Sequence, residues 1–370
     1  MIPLIDLRRQ YKTIQKDIKR AMQSVIDNTD FILGKEVGLF ESEFAAYCNS
    51  RFCVAVDSGT GALELGLMAL GVGAGEEVIV PSFTFYARAS AVAAVGARPV
   101  FVDVLEETGN INPALLEQAI TAKTKAILVV HLFGQPVDLA PILKIARKFN
   151  LPLIEDSAQA HGAQVQIDGQ WQSVGSVGIL SCFSFYPGKN LGAYGDGGAV
   201  ITSDGAIAEK LRLLRDYGRT GKYEHSILGY NKRLDSLQAA ILRVKLKNLD
   251  LWNQKRRKIA DLYDKLFKRS AILPFKIMPF AQPVRHVYAV RLDRRDAFAE
   301  YMKQKGVATG VHYPIPLHLQ KAFGYLGYKK GDLPVSEKIA DSIVSLPIFA
   351  ELKSAEIRQI AQTAKDFYAQ

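Results

Sequence analysis

The sequence is short of the side chains that build disulfide frameworks and metal sites: 370 residues include three cysteines and six histidines. Cys48, Cys53 and Cys182 are odd in number and form no CxxC pair, so neither a disulfide scaffold nor a zinc site is indicated. Such usage suits a reducing cytoplasm. No apolar run approaches the roughly 20 residues that span a bilayer. Met1 to Gln10 carries Asp6, Arg8 and Arg9 where a secretory signal would have an apolar core. A cytoplasmic protein without a membrane partner is therefore expected. Low-complexity tracts and internal repeats are also absent. The formal charge of +10 is spread along the chain, and its one dense run is Lys255, Arg256, Arg257 and Lys258. On a helix these four wrap around the surface instead of forming a stripe. That argues against a nucleic-acid partner, and a substrate bearing phosphates accounts for a positive surface more simply.

What is present is an alternation. Ile14, Ile18, Met22, Val25 and Ile26 share one helical face, and Val37, Phe40 and Phe44 repeat the pattern. Apolar strands then alternate with helical segments: Phe52–Val56, Glu77–Val80, Pro99–Val104, Ala126–His131 and Leu151–Glu155. One helix opens at Asn112-Pro113, a capping residue followed by proline in the first turn. This order predicts an α/β fold with a buried, mainly parallel sheet. Runs at Ile179–Phe185 and Gly198–Thr202 flank a glycine-rich loop, and one long helix is expected from Ser236 to Phe267. Pro274, Pro279 and Pro283 then break the chain. Strand Val287–Leu292, helix Asp296–Lys305, strand Thr309–His312 and two further helices predict a smaller C-terminal α/β domain. At this length two cores are expected, with residues 1–250 as the large domain and 251–370 as the small one.

Four segments carry candidate chemistry. Ser58-Gly59-Thr60-Gly61 lies between a strand and a helix, where free N–H groups can hold an anion; it also reads as an ordinary capped turn. Phe83, Phe85 and Tyr86 follow the strand ending at Val80; a flat ring could stack there, or the three could simply pack in the core. Glu155 and Asp156 end an apolar strand, where ligands of open α/β sheets sit, and only one of them can face the crevice. A carboxylate there could keep a heterocyclic nitrogen protonated, or cap a helix. His161, beside Gly162, reads as readily as structural. Lys189 stands in Ser184-Phe185-Tyr186-Pro187-Gly188-Lys189-Asn190, after an apolar strand and among Pro and Gly. A Schiff-base lysine needs such a fixed, proton-poor position, whereas a lone lysine would read as a surface turn residue.

Together the four resemble the DegT/DnrJ/EryC1/StrS family of sugar aminotransferases, of the aspartate-aminotransferase fold (PLP fold type I). The likeness runs from Asp6-Leu7 and Gln10-Tyr11 past His312-Tyr313-Pro314. It includes Pro81-Ser82-Phe83-Thr84, Glu155 to Gln159, and Gly229-Tyr230-Asn231 with Arg233-Leu234-Asp235. Gly61 departs from the family, which often has Asp or Ala there. The resemblance implies pyridoxal 5'-phosphate (PLP) as cofactor and Lys189 as its covalent anchor. Asp156 would pair the ring nitrogen, Gln159 would reach the ring hydroxyl, and Phe85 would stack on the ring. Gly59, Thr60 and Ser184 would take the phosphate, joined by Asn231 from a second subunit, so that a homodimer carries composite sites. The implied activity is transfer of an amino group, with glutamate as donor, to a keto-sugar nucleotide.

The loop Ala193 to Gly198, with Asp196 where many C4 enzymes carry Glu, resembles the branch that aminates C3. A dTDP-linked 3-keto-6-deoxyhexose is the expected substrate; UDP-linked and 4-keto sugars are the alternatives. Lys222, Tyr223, His225, His312 and Tyr313 are of a type to hold the nucleotide diphosphate. A PLP-binding regulatory protein with little turnover is the reading from another class. It is disfavoured by the joint presence of lysine, carboxylate and glutamine.

Overall fold

A computed structural model describes residues 1–369. Its centre is a seven-stranded sheet of β1 (Phe52–Val56), β2 (Glu77–Pro81), β3 (Arg98–Val102), β4 (Thr124–Val130), β5 (Leu153–Asp156), β6 (Leu180–Ser184) and β7 (Gly198–Thr202), in the order β1-β7-β6-β5-β4-β2-β3. Neighbours from β6 through β3 are parallel, and β7 alone runs against both β6 and β1. The sheet is buried on both faces, which explains its near-continuous Val, Ile and Leu runs. Helices at Gly59–Ala69, Ala87–Ala94 and Gly205–Arg215 cover one side.

Two three-stranded sheets complete the fold. One joins Leu273–Pro274, Tyr288–Arg291 and Ile343–Leu346; the other joins Ala281–Gln282, Gln164–Ile167 and Gln170–Ser173. Tyr288, Val290, Phe298, Met302, Ile357 and Ile360 form a core of their own with the later part of the helix Leu249–Phe267. Ile2 crosses from the N-terminus to join it, bridging to Val307.

Three expectations differ from what is found. The long helix breaks into Ser236–Leu246 and Leu249–Phe267, because Asn248 turns its amide back onto the Val244 carbonyl at 3.1 Å. Thr309–His312 forms no strand and makes only the single bridge Gly310–Ser345. The segment after Asn112 is a 3₁₀ turn, Pro113–Leu115, followed by the short helix Leu116–Ala119, although Asn112 caps Ala114 as its type suggests.

Candidate active site

All four chemistry-bearing segments leave the same edge of the sheet, because β1, β2, β5 and β6 point one way and each segment follows a carboxyl end. They enclose a cleft of about 530 Å³ lined by Gly59, Thr60, Phe85, Arg88, Asp156, Gln159, Ser184, Lys189, His286, His312 and Tyr313, among others.

The first wall is the helix start. The Ser58 hydroxyl accepts from the Gly61 N–H at 2.9 Å, so Ser58 acts as the cap. The first N–H groups of the helix have no intrahelical partner. A Cβ on Gly59 would lie 2.5 Å from the Ser184 Cβ. Only glycine allows the two segments to meet there, and their meeting puts the Ser184 hydroxyl beside the helix start. This cradle fits a phosphate.

The two carboxylates of β5 divide by strand alternation. Glu155 is fully buried on the far side, where its oxygens take N–H groups from Gly175, Val177 and Gly178 at 2.6–3.0 Å and face His131 Nε2 at 3.0 Å. Burial alone would raise its pKa, but His131 and these amides outweigh burial and hold it below the usual carboxylate range. Glu155 is a structural anion. Asp156 faces the cleft and is 1% exposed.

Asp156 has a partner that the sequence reading missed. Arg88, itself 3% exposed, donates from Nη2 to Asp156 Oδ1 at 2.9 Å, and its Nε lies against Oδ2. Oδ1 also accepts from the Ala158 N–H at 3.0 Å. The guanidinium thus engages both carboxylate oxygens, and the buried Asp156 carboxylate lines the cleft, where its remaining lone pairs could meet a ring N–H. The signal for Arg88 was present but faint: it is the only charge in the helix Ala87–Ala94.

Lys189 sits on a pinned loop. Its N–H bonds to the Tyr186 carbonyl at 2.8 Å, and the neighbouring Asn190 donates to Asn253 and Val284 while facing His286 Nδ1 at 3.1 Å. The Lys189 pKa is pulled down to about 7, first by burial and then by the Arg88 charge, with Asp156 opposing. Burial and the Lys189 charge likewise lower His286 and His312. His161 is fully buried against Phe183 and Phe185, and burial brings it down to about 3, so it is a neutral packing residue. Gln159 receives the Phe133 N–H at 2.6 Å and donates to the Tyr313 hydroxyl at 3.0 Å. The Phe85 ring is half-exposed beside Tyr313, with centroids 5.8 Å apart, and lines the cleft. A buried carboxylate lining the cleft, a desolvated lysine, an aromatic ring and a phosphate cradle are the donor set that PLP requires, and the residues present fit it.

Four expected site residues lie elsewhere. Lys222, Tyr223 and His225 are on an exposed excursion closed by the bridges Asp216–Asn231 and Arg219–His225. Tyr223 is 82% exposed, and His225 Nδ1 donates to the Tyr217 carbonyl at 2.8 Å. Asn231 closes that excursion and does not line the cleft of its own chain. His286 lines the cleft and was not singled out in the sequence, where an isolated histidine carries no signal.

A model of the DegT/DnrJ/EryC1/StrS aminotransferase family matches residues 12–365. The chain belongs to that family. The dTDP-3-amino-3,6-dideoxy-alpha-D-galactopyranose transaminase of Aneurinibacillus thermoaerophilus is 45% identical over 367 residues, 99% of each chain. The pleiotropic regulatory protein of Geobacillus stearothermophilus is 44% identical over 370 residues, 99% of this chain and 98% of that one. The crystal structure of S. venezuelae DesV in complex with a ketimine intermediate superposes with a TM-score of 0.97 at 40% identity, covering 100% and 99% of the two chains. Family membership accounts for the aminotransferase fold over the whole length, including the late strand pairing Tyr288–Arg291 with Ile343–Leu346.

Proposed function

We propose that this protein is a cytoplasmic, PLP-dependent nucleotide-sugar 3-aminotransferase that works as a homodimer, with residues 1–250 as its cofactor domain and 251–370 as the smaller one. The observation that carries the reading is that a desolvated Lys189 and the buried carboxylate of Asp156 line one cleft. Pyridoxal phosphate, when bound there, supplies the electron sink. Lys189 Nζ, whose pKa burial brings down to about 7, would anchor the cofactor and then take and return the substrate proton. The Asp156 carboxylate would hold the ring nitrogen and favour its protonated form. Gly59, Thr60 and Ser184 bind the phosphate, Phe85 covers one ring face, and Gln159 orients the ring hydroxyl together with Tyr313.

Glutamate is the amino donor in this reading. The acceptor is a 3-keto, 6-deoxy sugar on dTDP, with UDP as the second choice. The name of the A. thermoaerophilus relative supports the 3-amino position. Asn231 reaches the phosphate of the partner's site, supported by its absence from its own cleft. Tyr223 and Leu228, at 82% and 80% exposed, give the same excursion apolar surface that a second copy would cover. Lys222, Tyr223 and His225 then meet the nucleotide diphosphate, while His312 and Tyr313 flank the sugar.

Product masses from a panel of keto-sugar nucleotides with glutamate test the reading. Amination of 3-keto dTDP sugars far faster than of their 4-keto isomers is expected. A preference for the 4-keto isomer would overturn the regiochemistry. The regulatory relative motivates one further arm: a single turnover with glutamate that leaves the chromophore unchanged would favour a binding role.

A further inference from the structure

The Arg88–Asp156 contact has no place in the scheme above. Arg88 is in the first turn of the helix Ala87–Ala94, at the positive end of the helix dipole, and it is almost wholly buried. A cation is disfavoured there on both counts, so its position depends on the carboxylate that it grips. The grip engages both oxygens of Asp156, one by an aligned hydrogen bond and the other by contact alone. Arg88 and Lys189 line the same cleft.

We propose that Arg88 is a positioning residue of this site: its guanidinium grips both oxygens of Asp156 and so fixes the carboxylate in the cleft, and it balances that carboxylate's charge beside Lys189. The proposal rests on the PLP reading. Without Arg88, a buried anion would stand uncompensated near Lys189 and would favour the protonated state of any base in the cleft. With it, the pair adds little net charge, and burial is the main influence that brings Lys189 down to about 7. The other ionisable groups lining the cleft with Lys189 do not substitute for Arg88, and Asp196 among them carries the opposite charge. His161, His286 and His312 are all held below their ordinary pKa, and the Tyr313 phenol is pushed up by burial. Arg88 is therefore the permanent cation among the groups that shift Lys189.

The test is a spectroscopic pH titration of the PLP chromophore in the folded holoenzyme, for wild type, Arg88→Gln and Arg88→Lys. In Arg88→Gln, which keeps donors and loses the charge, the midpoint should rise by about 1 unit or more. Arg88→Lys keeps the charge and loses the two-pronged fork, so its midpoint should match wild type while kcat falls. A wild-type midpoint in Arg88→Gln overturns the proposal. If Arg88→Gln does not fold, Arg88→Lys decides: a midpoint raised by a unit, or an unchanged kcat, contradicts the assigned role. A wild-type protein that takes up no PLP would sink the cofactor reading and this proposal with it; normal uptake without the expected shifts sinks this proposal alone.

Discussion

The floor of the cleft and the excursion from Asp216 to Asn231 are built in opposite ways. On the floor the key groups are tied down: Asp156 by Arg88 and Ala158, Gln159 by Phe133 and Tyr313, and the Lys189 loop by Asn190. The excursion exposes Lys222, Tyr223, His225 and Leu228 and is closed by isolated bridges. The floor is built from one chain and holds its groups in a fixed geometry of the kind that covalent chemistry needs. The excursion presents its side chains to solvent. In the function proposed above, the floor sets the reaction type, and the excursion contributes to substrate choice and assembly.

Mutations should separate the two regions by size and kind of effect. Lys189→Ala should lower transamination by more than ~1,000-fold while the phosphate cradle still binds PLP, read by equilibrium dialysis beside a steady-state assay. Retained turnover would place the chemistry elsewhere. Asp156→Asn keeps the shape and removes the charge, and kcat should drop by at least ~100-fold.

Glu155→Gln is the contrasting neighbour. It would set an amide against three N–H donors and cost at least about 3 kcal/mol of folding stability, with kcat of the folded fraction near normal. Because its folded pKa is lowered, Glu155 contributes stability above its unfolded pKa and loses it as pH falls through the folded value. Urea melts at neutral and acid pH would show the gap between wild type and Glu155→Gln closing in acid. A kcat loss in Glu155→Gln as large as that of Asp156→Asn would reverse the assignment of the two carboxylates.

Effects in the excursion should be smaller and partly shared between chains. Mixing Asn231→Asp with Lys189→Ala puts both lesions into one site of each heterodimer. About a quarter of wild-type activity should return if subunits exchange at random. No recovery with exchange confirmed would count against the composite site. Lys222→Ala should raise KM for the nucleotide sugar roughly tenfold and leave kcat nearly unchanged.

The floor was also the more legible region in the sequence. Its strands are short apolar runs, and the motifs sit where those runs end, so Gly59, Asp156, Ser184 and Lys189 could be placed in one crevice from order alone. Strand alternation required one of Glu155 and Asp156 to turn away, although which one needed coordinates. Arg88 was hidden because its meaning comes from Asp156, 68 residues away. The Gln164–Ser173 hairpin escaped notice because its strands are four residues each, rich in glutamine, and half-exposed. The break at Asn248 turns on a single side-chain hydrogen bond inside a pattern that otherwise continues as a helix.

The most direct test of the central claim is to reduce the PLP-loaded protein with borohydride and map the labelled lysine. Lys245 is the informative rival. It is fully buried and is also pulled down to about 7 by burial, but it donates to the Gly192 carbonyl and does not line the cleft. A low pKa alone would not choose between the two; access to the cleft chooses Lys189. Label on Lys189, abolished in Lys189→Ala, is the expected result. Label on Lys245, Lys210 or Lys222 would contradict the account.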